Sequence, residues 1–101
     1  MDIFLVEDSP AVRRRLAQLL DAVPGARVVG QAERADSAIR DILALRPDLV
    51  LLDINLSRGS GFDVLRSVCR EAPEIDFYML SNFTADQARK RAEGDRSGNR
   101  R

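Results

Sequence analysis

Three acidic side chains stand where two apolar runs stop. Met1-Asp2-Ile3-Phe4-Leu5-Val6 leads into Glu7 and Asp8, and Leu49-Val50-Leu51-Leu52 leads into Asp53. A run that is apolar on both pleat faces reads as a parallel strand covered by helices above and below. In open parallel sheets ligands bind outside the carboxyl ends of the strands, so all three acids fall at the working end of such a fold. Neighbouring strands would bring these carboxylates together, which is repulsive unless a cation sits among them. An acidic pair after a strand is often only a cap or a solvated turn, but the joint pattern is more specific. Mg²⁺ suits it, because that ion takes a few carboxylates, keeps several waters and completes its shell with phosphate oxygens. Ser81, behind the run Ile75-Asp76-Phe77-Tyr78-Met79-Leu80, adds a hydroxyl at the same end that could donate to a phosphate.

Composition narrows the chemistry further. The 101 residues, 45% hydrophobic and 32% charged, make one soluble domain with one core. A net charge of zero lacks the basic footprint of a stand-alone nucleic-acid binder, so no direct nucleic-acid contact is expected. No apolar run approaches the roughly 20 residues of a membrane span, and no signal peptide is evident; a cytoplasmic location follows as the default. The chain has no histidine and a single cysteine, Cys69, which excludes His-based catalysis and the usual zinc sites and leaves oxygen as the metal donor.

The elements that must position the acids alternate strand and helix. Ser9 is a candidate N-cap with Pro10 at the first helical position, and Val12, Leu16, Leu19, Leu20 and Val23 form an apolar stripe. Arginines 13 to 15 read as a solvated face. Pro24-Gly25 ends this helix before a short edge strand, residues 27–30, and a second helix over 34–45 carries Ala35, Ala38, Ile39, Ile42 and Leu45 inward. After Asp53 the polar loop to Gly61 contains Gly59 and Gly61, both free to take positive φ. A third helix buries Phe62, Val64, Leu65, Val68 and Cys69, the last as a packing thiol. Ile75–Leu80 is a fourth strand. Thr84 with Gln87 forms a capping box that opens a fourth helix running to about Glu93. Residues 95–101 contain no apolar side chain and read as a loose basic tail.

Together, Glu7-Asp8, the "DLVLLD" strand ending in Asp53, Asn55 two positions on, the "GSGFDVL" opening of the third helix, and Ser81 resemble the receiver domains of two-component response regulators. The resemblance runs to about Ala92. It implies an α/β, flavodoxin-like parallel sheet of order 2-1-3-4, with residues 1–94 as a receiver domain truncated before strand 5 and helix 5. It implies Asp53 as the aspartate phosphorylated by a histidine kinase or phosphotransfer protein. Mg²⁺ would be held by Asp8, Asp53 and the carbonyl of Asn55, with Glu7 acting through water, and Ser81 would bond the phosphoryl group.

The departures shape the expectation. The family carries a lysine and an aromatic residue on a fifth strand, whereas the only lysine here is Lys90, inside the expected fourth helix. Ser57 stands where most members have proline. The chain is therefore read as a receiver impaired in phosphorylation, or as a silent receiver acting by protein contact alone, and not as an enzyme. A small Mg²⁺ phosphatase using Asp53 fits poorly, since no cap domain encloses a substrate. Without strand 5, a homodimer is expected, joined through the fourth-strand edge or the first-helix face.

Overall fold

The computed structural model describes residues 1–54, 56 and 59–80. Seven elements alternate along them: β1 (Asp2–Val6), α1 (Pro10–Asp21), β2 (Arg27–Ala32), α2 (Ala35–Leu45), β3 (Leu49–Asp53), α3 (Gly61–Glu71) and β4 (Asp76–Leu80). The strands form one parallel sheet in the order β2-β1-β3-β4, as the sequence leads one to expect. The expected fourth helix with Thr84 and Gln87, Ser81, Lys90 and the tail lie outside the described residues, as do Asn55 and Ser57.

This strand order decides which helix covers which face. The step from β1 to β2 runs one way along the sheet and the steps to β3 and β4 run the other way. Right-handed crossovers then place α1 on one face and α2 with α3 on the opposite face. Phe4, Val50 and Phe77 share one register row, and Val6, Leu52 and Met79 share another. These rows point to α2 and α3, where Phe4, Val6, Val50 and Leu52 pack with Ala35, Ala38, Ile42, Val64 and Val68 into one core cluster. Ile3 and Leu5 point the other way and are also buried. In the row of Leu5, however, Leu51 is only partly buried and Tyr78 is 61% exposed.

Local chemistry sets the element ends. Ser9 caps α1 through its hydroxyl, which accepts from the Val12 N–H at 3.3 Å, with Pro10 following as expected. Arg46 closes α2 at φ 52°, a left-handed conformation uncommon for a residue with a side chain. Ser60 and Asp63 form a reciprocal capping box at the start of α3, with the Ser-x-x-acid spacing visible in the sequence. β2 continues to Ala32, two residues beyond its expected end, because the Glu7 N–H donates to the Ala32 carbonyl at 3.0 Å and so prolongs the ladder.

Three helices depart in part from their apolar patterns. In α1 no residue is buried, and Leu19 (53%) and Val23 (49%), just past its end, are exposed. The half-buried positions are Val12, Arg13, Leu16, Ala17 and Leu20. Arg13, Leu16, Ala17 and Leu20 follow i, i+3, i+4, i+7 spacing, so the inward stripe passes through an arginine instead of through Leu19 and Val23. In α2, Leu45 is likewise exposed. In α3, Val64 and Val68 are buried, but Phe62 and Cys69 are exposed, which overturns the reading of Cys69 as a buried packing thiol.

Candidate functional site

The expected acids meet. Glu7, Asp8 and Asp53 each offer a carboxylate oxygen, and these oxygens lie within 4.8 Å of one another. The cause is topological: β1 and β3 are hydrogen-bonded neighbours that run in the same direction, so their carboxyl ends coincide. Glu7 and Asp53 are each 1% exposed, and Asp8 is half-buried.

Glu7 is gripped at three points. Its N–H bonds the end of β2 through Ala32, its carbonyl accepts from Arg13 Nη1 at 2.7 Å, and its Oε2 accepts from the Ser9 N–H at 3.1 Å. Burial pushes the Glu7 carboxyl up from 4.5 to about 7; the Ser9 N–H opposes the rise, and the nearby charges of Asp53 and Asp8 add to it. A buried carboxyl forced toward neutrality beside two others, at the end of the sheet, marks a candidate functional site.

Asp53 is positioned from the chain that follows it. The Ile54 N–H donates to the Leu80 carbonyl at 3.3 Å, and the Gly61 N–H returns to the Ile54 carbonyl at 2.9 Å, closing the loop beside the acid. A Cβ on Gly61 would collide with the Asp53 carbonyl and stand 2.9 Å from the Ile54 Cα. Gly61 therefore serves close backbone approach, and the positive φ that the sequence suggested for both glycines is found only at Gly59, at 82°.

Arg13 is the residue of this site that reading apolar spacing alone misses. Arg14 and Arg15 are exposed as expected, but the Arg13 side chain is only 18% exposed and also pairs with Glu33 at 3.3 Å. The donor set fits a hard divalent cation: the gathered side-chain atoms are all carboxylate oxygens.

Comparison with known proteins identifies the family and the fold. The family model of the response regulator receiver domain matches residues 3–96, and the chain belongs to that family. It is 44% identical over 88 residues to a protein-glutamate methylesterase/protein-glutamine glutaminase 1 of Syntrophus aciditrophicus (strain SB), covering 87% of this chain and 25% of that protein. It is 37% identical over 86 residues to the DNA-binding transcriptional activator DevR/DosR of Mycobacterium tuberculosis (strain ATCC 25618 / H37Rv), covering 85% of this chain and 40% of that protein. The crystal structure of the response regulator domain of Thermotoga maritima CheB superimposes with a TM-score of 0.77 at 28% identity, covering 97% of this chain and 72% of that one. The chain thus spans well under half of either curated relative, and the esterase and DNA-binding activities in their names are those of the whole proteins. Among the described residues no helix is long and apolar enough to cross a membrane.

Proposed function

We propose that this receiver domain accepts a phosphoryl group on Asp53 from a phosphohistidine of a histidine kinase or phosphotransfer protein in the cytoplasm. The observation that carries the reading is the convergence of Glu7, Asp8 and Asp53 at the carboxyl ends of β1 and β3. A carboxylate oxygen of Asp53 attacks phosphorus in line; the new O–P bond forms as the P–N bond breaks, and the electron pair stays on the departing imidazole nitrogen. Asp8, Asp53 and the Asn55 carbonyl would hold Mg²⁺, with Glu7 acting through water. The ion would supply positive charge against the phosphoryl oxygens. Ser81, by the family resemblance, would donate its hydroxyl to the same group.

The 101 residues hold one lysine, Lys90, in the stretch read as a helix. A second reading is a silent receiver that works by protein contact, and it draws on the exposed apolar side chains of β4 and α1. Exposed Tyr78 on β4 and exposed Leu19 on α1 support pairing of two copies through the β4 edge or the α1 face, which Tyr78→Lys and light scattering across a concentration series would test.

Intact mass after incubation with acetyl phosphate and Mg²⁺ decides between the readings. A phosphoryl adduct that disappears in Asp53→Asn supports transfer; its absence at any exposure supports the silent receiver.

A further inference from the structure

Arg13 occupies an unusual place for an arginine. It stands on the inward stripe of α1, and its Nη1 reaches both the Glu7 carbonyl at 2.7 Å and Glu33 Oε2 at 3.3 Å. Glu33 is 56% exposed, so that ion pair is solvent-screened and contributes little by itself. The bond to the Glu7 carbonyl is different in kind: a charged donor meets a main-chain acceptor at a residue that is 1% exposed. The same peptide segment is tied to β2 through the Glu7 N–H and to the α1 cap through Ser9. The turn that presents Glu7 and Asp8 is therefore held from both sides, and the guanidinium is the clamp on its outer side.

We propose that Arg13 is a positioning residue, which fixes the Glu7-Asp8 turn opposite Asp53 and thereby sets the affinity of the acidic cluster for a divalent cation. The inference rests on the reading of Glu7, Asp8 and Asp53 as a cation site. Its sign separates it from a simple charge effect. An arginine near a cation repels it, so on electrostatics alone removing Arg13 would tighten Mg²⁺ binding. Loss of an outer partner that orients ligands instead weakens binding, by about 10–100-fold in metal sites generally.

The fold also supplies a way to restore the clamp. A depression of about 400 Å³, lined by Arg13, Glu33, Arg34, Ser37 and Asp41, opens beside the guanidinium. It gives a small alkylguanidinium a route to the position that truncation vacates.

The test measures Mg²⁺ binding to the full chain by calorimetry in wild type, Arg13→Met, Arg13→Ala and Glu33→Gln. Arg13→Met is expected to bind about 10–100-fold more weakly. Glu33→Gln should stay within about 3-fold, as a screened surface pair implies. Millimolar ethylguanidinium should recover part of the loss in Arg13→Ala and leave wild type unchanged. Equal or tighter binding by Arg13→Met overturns the proposal. The amide exchange and chemical shifts of Glu7 and Asp8 in Mg²⁺-free protein give a second readout. They should change in Arg13→Met while those of Val50 and Leu52 do not, and unchanged Glu7 and Asp8 signals overturn the proposal even if wild type fails to bind Mg²⁺. That failure of wild type would itself refute the cation site and not the clamp. Should Arg13→Met not fold, Arg13→Lys, which keeps the charge and the stem, takes its place in both measurements.

Discussion

The two faces of the sheet are held by different physics. On one face α2 and α3 insert Ala35, Ala38, Ile42, Val64 and Val68 into a dry cluster with Phe4, Val6, Val50 and Leu52. On the other, α1 has no buried residue, and its N-terminal turn is fastened by polar groups: the Ser9 hydroxyl, the Ser9 N–H on Glu7, and Arg13 on the Glu7 carbonyl. Apolar packing is non-directional and tolerant, whereas those hydrogen bonds fix direction. The α1 face also buries Ile3 and Leu5 beneath half-buried Leu16, Ala17 and Leu20, so the contrast is one of degree: the larger dry cluster lies under α2 and α3, and the start of α1 is placed by the same bonds that place the acids.

The largest expected effect tests where stability resides. Ile42 is completely buried, so Ile42→Ala should cost about 2–5 kcal/mol, a large share of the roughly 5–15 kcal/mol available to a domain. Leu16→Ala, at a half-buried position of α1, should cost less than about 1.5 kcal/mol, part of the value of a fully buried leucine. Urea denaturation of both variants measures the asymmetry, and equal losses would break the comparison.

At the seam between the core and the acids, Gly61→Ala is the next strongest. Helix propensity alone would make alanine stabilising by up to about 1 kcal/mol. The new Cβ meets main-chain atoms of Asp53 and Ile54, which cannot swing aside like a side chain, so a loss of about 1–3 kcal/mol is expected. The sign of the change in urea midpoint settles which effect wins. A stabilised variant would mean that the approach of α3 to Asp53 is loose.

Much of this was legible in the sequence. Apolar runs flanked by helical patterns led to a parallel α/β sheet, the resemblance to receiver domains supplied its order, and the acids at the strand ends led to the cluster. What escaped depended on rotation about a helix axis. Counting apolar residues aimed α1 through Leu19 and Val23, while the sheet receives Arg13, Leu16, Ala17 and Leu20, because hydrogen bonds at the N-terminal turn set the helix angle as strongly as apolar area does. Gly61 escaped for another reason. A glycine needed for close approach looks the same in sequence as one needed for positive φ, and only the position of the Asp53 carbonyl tells them apart.

The acidic end adds a pH dependence to this contrast. With its carboxyl raised to about 7 in the folded, metal-free protein, Glu7 favours folding below its unfolded value of 4.5, and that contribution fades as pH rises through about 7. Melting temperature in chelator should therefore fall between pH 5 and 8, and Glu7→Gln, which cannot ionise, should flatten the fall. Mg²⁺ should reverse the trend above pH 7, where the carboxylate is charged and binding to the native state adds stability. A Glu7→Gln profile parallel to wild type would place the titration elsewhere.

The smallest expected effect lies on the outer side of α3, where the comparison predicts almost nothing. Gly61, Val64, Val68 and Ala72 are buried, and at about 100° per residue Cys69 sits roughly 95° from the centre of that stripe, outside a core-facing band. Leu65, four residues earlier on the same side, made it look like a core thiol, but Leu65 is itself only half-buried at the margin of the stripe, and Cys69 lies about 40° further out. An exposed thiol forgoes no packing when changed, so Cys69→Ser should shift stability by no more than about 0.5 kcal/mol. The native thiol should also react with a disulfide reagent without prior unfolding, at a rate that urea below the transition leaves unchanged. Protection of Cys69 that is lost only on global unfolding would mean that a further element covers α3, and the contrast between a packed inner side and a free outer side would have to be redrawn.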